Sequence, residues 1–366
     1  MFEITKSTSI KNFFDKCLEE FKVDSELYLK FSDQGFRVQS NNSQLIEKLK
    51  SYFGEFVSGS EDIKELNLTD VYAVETNPIP YSANDFVIKE PGPGKTKIKE
   101  EILNVNDGRI VHKKITDMFF LFGEGINLGI GPCFNNDNQV INFINNRFLE
   151  IKLNQGAMLG HAAAIIHPIT KKGMMFAGFS GMGKSTLALK IMNLGADFLS
   201  NDRVLLSASE SGAKMEGVAK HPRINPGTIV HNEKLLNLIT QEQRQRYLDM
   251  GDALWDLEEK YDGLIDKCYG ENKFKLNNEA HVLILLNWKR DGGEAVLKKI
   301  DPTEREDLLP AFMKETGAFY LPDEEGRNIG RDVQDYLKVL TRIDVYEVSG
   351  GVDFEGIAKQ CYDSIS

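Results

Sequence analysis

The sequence predicts an α/β fold organised around a phosphate-binding loop, with a small α+β domain ahead of it. Three observations carry this expectation. Residues 174–193 read as an apolar strand, a glycine-rich turn and a helix in direct succession. Residues 1–80 alternate between amphipathic helical and strand-like patterns. Between them, residues 81–100 are rich in proline and glycine, the chemistry of a linker. The expected domains are therefore 1–80, a linker over 81–100, and a phosphate-loop domain over 101–366.

In chain order, Ile10–Phe21 places Phe13, Phe14, Cys17, Leu18 and Phe21 on one helical face. Glu26–Phe31 and Phe36–Gln39 read as strands around the turn Asp33-Gln34-Gly35. A second amphipathic helix is expected from Gln44 to Phe56, and a further strand at Val71–Glu75. Gly94-Lys95-Thr96 echoes a phosphate loop but lacks the preceding strand and a correctly spaced first glycine, so it is set aside. Strands are expected at Arg109–His112, Met118–Phe122 and Ile126–Gly129, and a helix at Gln139–Phe148. Ala162–Ile166 and Met174–Ala177 follow as strands, and Thr186–Asn193 as a helix. Beyond residue 207 a strand at His281–Leu286 and helices at Glu304–Thr316, Asp332–Leu340 and Phe354–Ser364 complete the reading.

The 366 residues carry 44 Lys+Arg against 55 Asp+Glu, a formal charge of −11. That balance disfavours a general nucleic-acid binder, because non-specific binding neutralises phosphates with Lys and Arg. With 22 Phe and 11 Tyr the chain is too apolar for disorder. No apolar run reaches the roughly 18–20 residues that span a bilayer, and the first 20 residues lack the apolar core of a secretory signal. Cys17, Cys133, Cys268 and Cys361 are far apart and form no short-spaced set with the six histidines. Four reduced thiols and a cytoplasmic location are the expectation, with no membrane partner.

Gly178-Phe179-Ser180-Gly181-Met182-Gly183-Lys184-Ser185 matches G-x-x-x-x-G-K-[ST], and Thr186 continues it into the helix. The glycines let successive backbone N–H groups turn toward phosphate oxygens. Lys184 supplies a positive charge to the β- and γ-phosphates, and the Ser185 hydroxyl can ligate Mg²⁺. The helix N-terminus adds its dipole. Magnesium also needs a carboxylate on a nearby strand end, and Asp202, 18 residues after Lys184, is expected to return there through one β-loop-α-β unit. Asn201 beside it reads as a turn residue or a site amide. His161 reads either as a strand histidine satisfied by backbone or as a group at the phosphate or acceptor, able to relay a proton. Arg223, between Pro222 and Asn225-Pro226-Gly227, has a stiff mount suited to stabilising phosphoryl charge. Lys220 and His221 are weaker versions of that idea. Arg203 reads as an ion-pair partner, and Trp255–Tyr261 as a packing helix from which Lys260 could reach inward.

Gly178–Ser185, the short helix and the early Asn201-Asp202 together resemble the HPr kinase/phosphorylase family, related in fold to phosphoenolpyruvate carboxykinases. That family carries a histidine before the loop, matched in position by Gly160-His161-Ala162, and an Asp-Asp pair where Asn201-Asp202 stands here. Residues His221–Thr228, Leu254–Tyr261 and Leu286-Asn287-Trp288 resemble the B-type group of HPr-kinase-related kinases. The resemblance spans about residues 130–300 and is strongest over 156–206. It implies an ATP-dependent phosphotransferase with Mg²⁺, in which Lys184, Asp202, His161, Arg223 and Asn201 act catalytically and Ser185 and Asp202 hold the metal. Two departures stand out: the first Asp of the pair is Asn201, and the family's segment for HPr docking and phosphorolysis is not recognisable.

The expected activity is transfer of the γ-phosphoryl of Mg·ATP to a hydroxyl of an unidentified protein or small molecule. The rivals are an ATP-binding regulatory protein that has lost phosphotransfer and an ATPase. Homo-oligomers occur among the resembling enzymes.

Overall fold

The computed structural model describes residues 3–90, 97–257, 259–322 and 332–366. It is a mixed α/β chain in two compact units. The first takes the described residues up to Ile151 together with residues 316–322, and the second takes Lys152–Glu315 together with residues 332–366. Expected pieces over Pro91–Lys95 and Gly94–Thr96 lie outside the described residues.

The first unit opens with helix α1 (Ile10–Glu20), capped by the Ser9 side chain, which accepts from the Asn12 N–H. Strands β1 (Ser25–Phe31) and β2 (Gln34–Ser40) form a hairpin, with Ser32 taking the positive φ that so tight a turn demands. Helix α2 (Ser43–Phe53) buries Leu45, Ile46, Leu49 and Phe53. Strands β3 (Val57–Ser58), β4 (Asn67–Glu75), β5 (Val87–Ile88), β6 (Glu100–Val105), β7 (Gly108–Lys113), β8 (Met118–Gly123) and β9 (Ile126–Gly131) complete one sheet in the order β3-β1-β2-β4-β9-β8-β7-β6-β5. Helix α3 (Asp137–Asn154) follows.

This sheet corrects the expected domain limits. The strands of 101–130 do not belong with the glycine loop: β4 pairs in parallel with β9, so one sheet runs across residue 100. Nor is 81–90 plain linker, because Phe86 is buried in the core around α1 and β5 pairs with β6. Local Pro and Gly punctuation says nothing about which strands pair across it.

The second unit begins with β10 (Met158–Gly160), β11 (Ala162–Ile166) and β12 (Gly173–Ala177), then α4 (Lys184–Asn193), β13 (Asp197–Ser200), β14 (Val204–Ser209) and β15 (Gly212–Glu216). A short ribbon, β16 (Arg223–Ile224) with β17 (Tyr261–Asp262), brackets α5 (Pro226–Val230) and α6 (Gln241–Asp249). After α7 (Ile265–Tyr269) come β18 (Asn277–Leu286), β19 (Val296–Ile300), α8 (Val333–Leu340), β20 (Asp344–Ser349) and α9 (Phe354–Ser364). The sheet order is β10-β14-β15-β18-β12-β11-β13, with β20 also paired to β18 and β19 to β20. Its core is small-residue and aliphatic, with Ala162, Ala164, Met175, Ala177, Leu199 and Leu283 buried beside Leu309, Phe312 and Leu340.

Two expected helices are not α-helices. Glu304–Thr316 forms only a 3₁₀ segment at Glu306–Ala311, where Pro310 cannot supply an N–H to an α ladder. Trp255–Tyr261 is the end of a 3₁₀ segment, Gly251–Asp256, closed by extended Leu257 before β17.

Candidate functional site

The glycine loop leaves the end of β12 and enters α4 with Gly183 as the residue before the helix. Gly181 and Gly183 have φ of +84° and +85°, a region that side chains disfavour. A Cβ on Gly183 would lie 2.5 Å from the Phe354 ring, so no larger residue fits. Trp288, itself in the cavity wall, braces the loop: its indole N–H donates to the Met182 carbonyl at 2.9 Å, and its ring meets Phe354 edge-on at 4.9 Å. The Asn287-Trp288 segment thereby acquires a physical role.

Lys184 is only 7% exposed. Its ammonium donates to the Gly178 carbonyl at 2.6 Å and the Phe179 carbonyl at 3.3 Å. Burial lowers its pKa to about 8, with Asp202 pulling the other way and Lys314 adding to the drop.

The strand order corrects one detail of the expected unit. β12 and β13 are not neighbours, because β11 lies between them, antiparallel to both. The consequence is that three chain segments meet at one sheet edge. Ala162 pairs with Ala177 and Ala164 with Ser200. His161, the loop after Ala177 and Asn201-Asp202 therefore emerge together at the carboxyl ends of β12 and β13, the usual ligand position in α/β sheets.

His161 Nε2 lies 3.3 Å from Asp202 Oδ1. Its backbone N–H donates to the Phe312 carbonyl at 2.6 Å, and the Lys314 N–H to the Leu159 carbonyl at 3.1 Å. Residues 312–314 thus run beside 159–161, an approach that Gly160 permits, since a Cβ there would lie 2.4 Å from the Phe312 ring. This brings Lys314 Nζ to 3.4 Å from Asp202 Oδ2, with Arg203 Nε at 3.7 Å. Burial by itself would raise the Asp202 carboxyl, but hydrogen bonding from His161 and the charges of Lys314 and Arg203 hold it well below the usual carboxylate range. The Asn201 side-chain oxygen is buried without a hydrogen-bond partner.

A cavity of about 820 Å³ opens over this edge. Its walls include Ser180 to Thr186, His161, Asn201, Asp202 and Arg223. Gly178 and Phe179 are not part of this wall; their carbonyls are engaged by Lys184, and the Phe179 side chain is exposed. The Thr186 hydroxyl is bonded to that of Thr228 at 2.7 Å, which ties α4 to α5. Arg223 sits on the β16–β17 ribbon, 3.4 Å from Asp262. His221 accepts from the Ile265 N–H at 3.1 Å and is structural.

Trp255, Lys260, Asp252, Arg290, Val352 and Phe354 also line the cavity. From sequence Lys260 is expected to reach inward and Trp255 to pack, while Lys314 carries no signal. No local pattern marks Lys314: only the 159–161 and 312–314 pairing carries it to Asp202.

Among the described residues no group of three or more His, Cys, Asp and Glu side chains could hold a metal ion by itself. A cation at this edge would need oxygens beyond one carboxylate, which suits Mg²⁺ shared between Asp202, Ser185, water and phosphate oxygens. The same residues suit the triphosphate of a nucleotide: a glycine cradle, a helix N-terminus and a buried ammonium.

No family model matches this chain, and no curated protein matches it. Among solved structures, the Hpr(Ser) kinase/phosphatase from Coxiella burnetii aligns over 56% of this chain and 93% of its own, at 14% identity and a TM-score of 0.28. Among the described residues no helix is long and apolar enough to cross a membrane.

Proposed function

We propose that the chain is an ATP-dependent kinase of the HPr-kinase-like type, passing the γ-phosphoryl group of Mg·ATP to a hydroxyl. The observation that supports this best is the meeting, at one sheet edge, of a glycine loop bearing Lys184 with the His161–Asp202 pair. In this reading Ser180–Ser185 offer backbone N–H groups to the phosphates, and Lys184 exchanges its loop carbonyls for β- and γ-oxygens. Ser185 and Asp202 hold Mg²⁺, which would neutralise charge on the transferring group. His161, bonded to Asp202, takes or relays the acceptor proton, and Arg223 faces the acceptor side. Asn201 is an amide and accepts no proton at neutral pH, so its contribution is orientation.

Asn201 also favours a second reading, an ATP-binding protein that no longer transfers phosphate. Incubation with γ-labelled ATP, with and without cell extract, separates the cases. Label in a product supports the kinase. Release of phosphate alone makes the chain an ATPase, and nucleotide binding without turnover makes it a regulator.

A further inference from the structure

We infer that the nucleoside end of the donor nucleotide lies over the ends of β18 and β20, where Arg290, Val352 and Phe354 hold a purine by stacking and without selecting adenine over guanine. The inference rests on the phosphate-loop reading above and adds where the base is held and how far it is read.

The order of strands gives a direction to anything held on the glycine loop. β12, which leads into the loop, pairs in parallel with β18, and β18 pairs in parallel with β20. Ala177, Leu285 and Glu347 stand level across the three strands, so the glycine loop, residues 287–290 and residues 350–354 leave one sheet edge together. Asp202 follows β13, which lies on the other side of β12, beyond β11. At about 4.8 Å per strand, β13 and β20 are each displaced about 10 Å from the loop strand, in opposite directions. In the reading above the transferring phosphate meets Asp202. The rest of a nucleotide cradled by the loop then runs the other way, over β18 and β20.

The surface there is firmly mounted. The loops after β18 and β20 interlock: the Lys289 N–H donates to the Gly350 carbonyl at 2.8 Å, a Cβ on Gly292 would lie 2.1 Å from the Gly350 oxygen, and one on Gly351 would lie 2.0 Å from the Gly293 oxygen. Phe354 packs on Gly183 and on Trp288, which ties this clasp to the glycine loop. Arg290 stands on one loop and Val352 on the other, and both line the cavity that Ser180–Thr186 also line. Val352 is 39% exposed, and among the described residues Arg290 makes no ion pair. Apolar surface and a planar guanidinium in one cavity suit the faces of a base.

The same residues set the limit of recognition. Trp288 and Arg290 are donors only, while Val352 and Phe354 are apolar, so none of them accepts a hydrogen bond. Adenine is marked by an amine that donates, and it finds no side-chain acceptor among these four, whereas stacking holds either purine. Asp252 is an acceptor in the cavity wall, but it belongs with Trp255, whose ring would lie 2.7 Å from a Cβ on Gly227 of α5. α5 follows directly on the strand that carries Arg223, the side given above to the acceptor.

The test titrates the full chain by calorimetry in Mg²⁺ with non-hydrolysable ATP and GTP analogues and with inorganic tripolyphosphate, which offers the phosphates without a nucleoside. Both analogues are expected to bind about tenfold or more tighter than tripolyphosphate, and within about tenfold of each other. Arg290→Ala is expected to weaken both analogues about tenfold. Arg290→Lys, which keeps the charge and loses the plane, is expected to weaken them about threefold or more and to leave tripolyphosphate unchanged. The inference is overturned if the analogues bind no tighter than tripolyphosphate, or if Arg290→Ala leaves them unaffected while Trp255→Ala weakens them. It is also overturned if Arg290→Lys weakens tripolyphosphate as much as the analogues, which would make Arg290 a phosphate ligand, or if the GTP analogue binds more than about tenfold more weakly than the ATP analogue. Failure of the underlying reading looks different: neither the analogues nor tripolyphosphate would bind.

Discussion

Two sets of charged side chains differ in what they face: those of the first unit close on protein, as the buried pair Lys152 and Glu216 does in the second, while those beside the glycine loop open on a cavity. In the first, buried ionic groups close on one another. His112 and Glu101 are each about 2% exposed and meet at 2.8 Å, with Lys114 on the other Glu101 oxygen at 3.0 Å and the Phe119 ring stacked on the imidazole at 4.2 Å. Arg147, also 2% exposed, binds Glu150 at 2.9 Å and the Phe319 carbonyl, with its guanidinium 4.0 Å from the Phe122 ring centre. Arg109 adds donations to the carbonyls of Ala318 and Tyr320, and Glu150 accepts from the Leu321 N–H. These groups fasten residues 318–321 to the sheet. In the second unit, Lys184, His161, Asp202 and Arg223 converge on a cavity. A buried charge whose partners are all protein is architecture. One whose field opens into a cavity is available for chemistry.

Removing Arg147 tests the closed side. Arg147→Ala strips Glu150 and the Phe319 carbonyl of a buried partner and is expected to cost about 3–5 kcal/mol of stability, read from the urea midpoint. Nucleotide affinity of the folded fraction should hold. If affinity fell while the fold survived, the first unit's charges would be serving the site and the contrast would collapse.

The open side predicts the reverse. Lys184→Ala is expected to cost about 10²-fold or more in ATP turnover, with little loss of stability, since its ammonium is lowered toward neutrality by burial. Turnover at the parent rate would sink the phosphate-loop reading.

Within the site, Asp202→Asn removes a carboxylate that His161, Arg203 and Lys314 share. It is expected to raise the Mg²⁺ requirement and to cost roughly tenfold or more in turnover, well beyond Asn201→Ala. An Asp202→Asn protein with unaltered Mg²⁺ dependence would move the metal to another residue. If the chain is a regulator, Asn201→Asp rebuilds the acidic pair and is the variant in which turnover is looked for.

Protonation sharpens the comparison further. With Lys184 near 8 in the nucleotide-free protein, its charge is complete below that pH and lost as pH rises through it. Affinity for a Mg·ATP analogue should be flat up to about pH 8 and then fall by up to about tenfold per unit, with proton uptake on binding. Lys184→Arg, which keeps its charge, should abolish the fall.

The smallest effect concerns the thiols. All four cysteines are free and buried. Burial pushes Cys17 and Cys361 up to about 12 and Cys268 to about 11, and raises Cys133 as well. A chromogenic thiol reagent at pH 8 should find almost nothing in the native protein and four thiols in denaturant. Rapid native labelling would show local opening around one of these sites.

Much of the molecule was legible because it depends on neighbours in sequence. The amphipathic periods of Ile10–Glu20, Ser43–Phe53 and Phe354–Ser364, and the succession of strand, glycines and helix over 173–193, are local patterns, and the chain folds as they indicate. The positive φ of Gly181 and Gly183 is likewise written in residue type. What tertiary structure decided was pairing. Nothing in the period of β4 announces β9 as its neighbour, and so the division of the chain moved from about residue 80 to Ile151. Nothing local inserts β11 between β12 and β13, yet that insertion sets His161 against Asp202. Lys314 reaches the same carboxylate from 112 residues away, through a backbone pairing that Gly160 makes room for. Side-chain periodicity fixes which face of an element is buried. Which elements then touch follows from competition among all the apolar faces at once, settled only when the whole core closes.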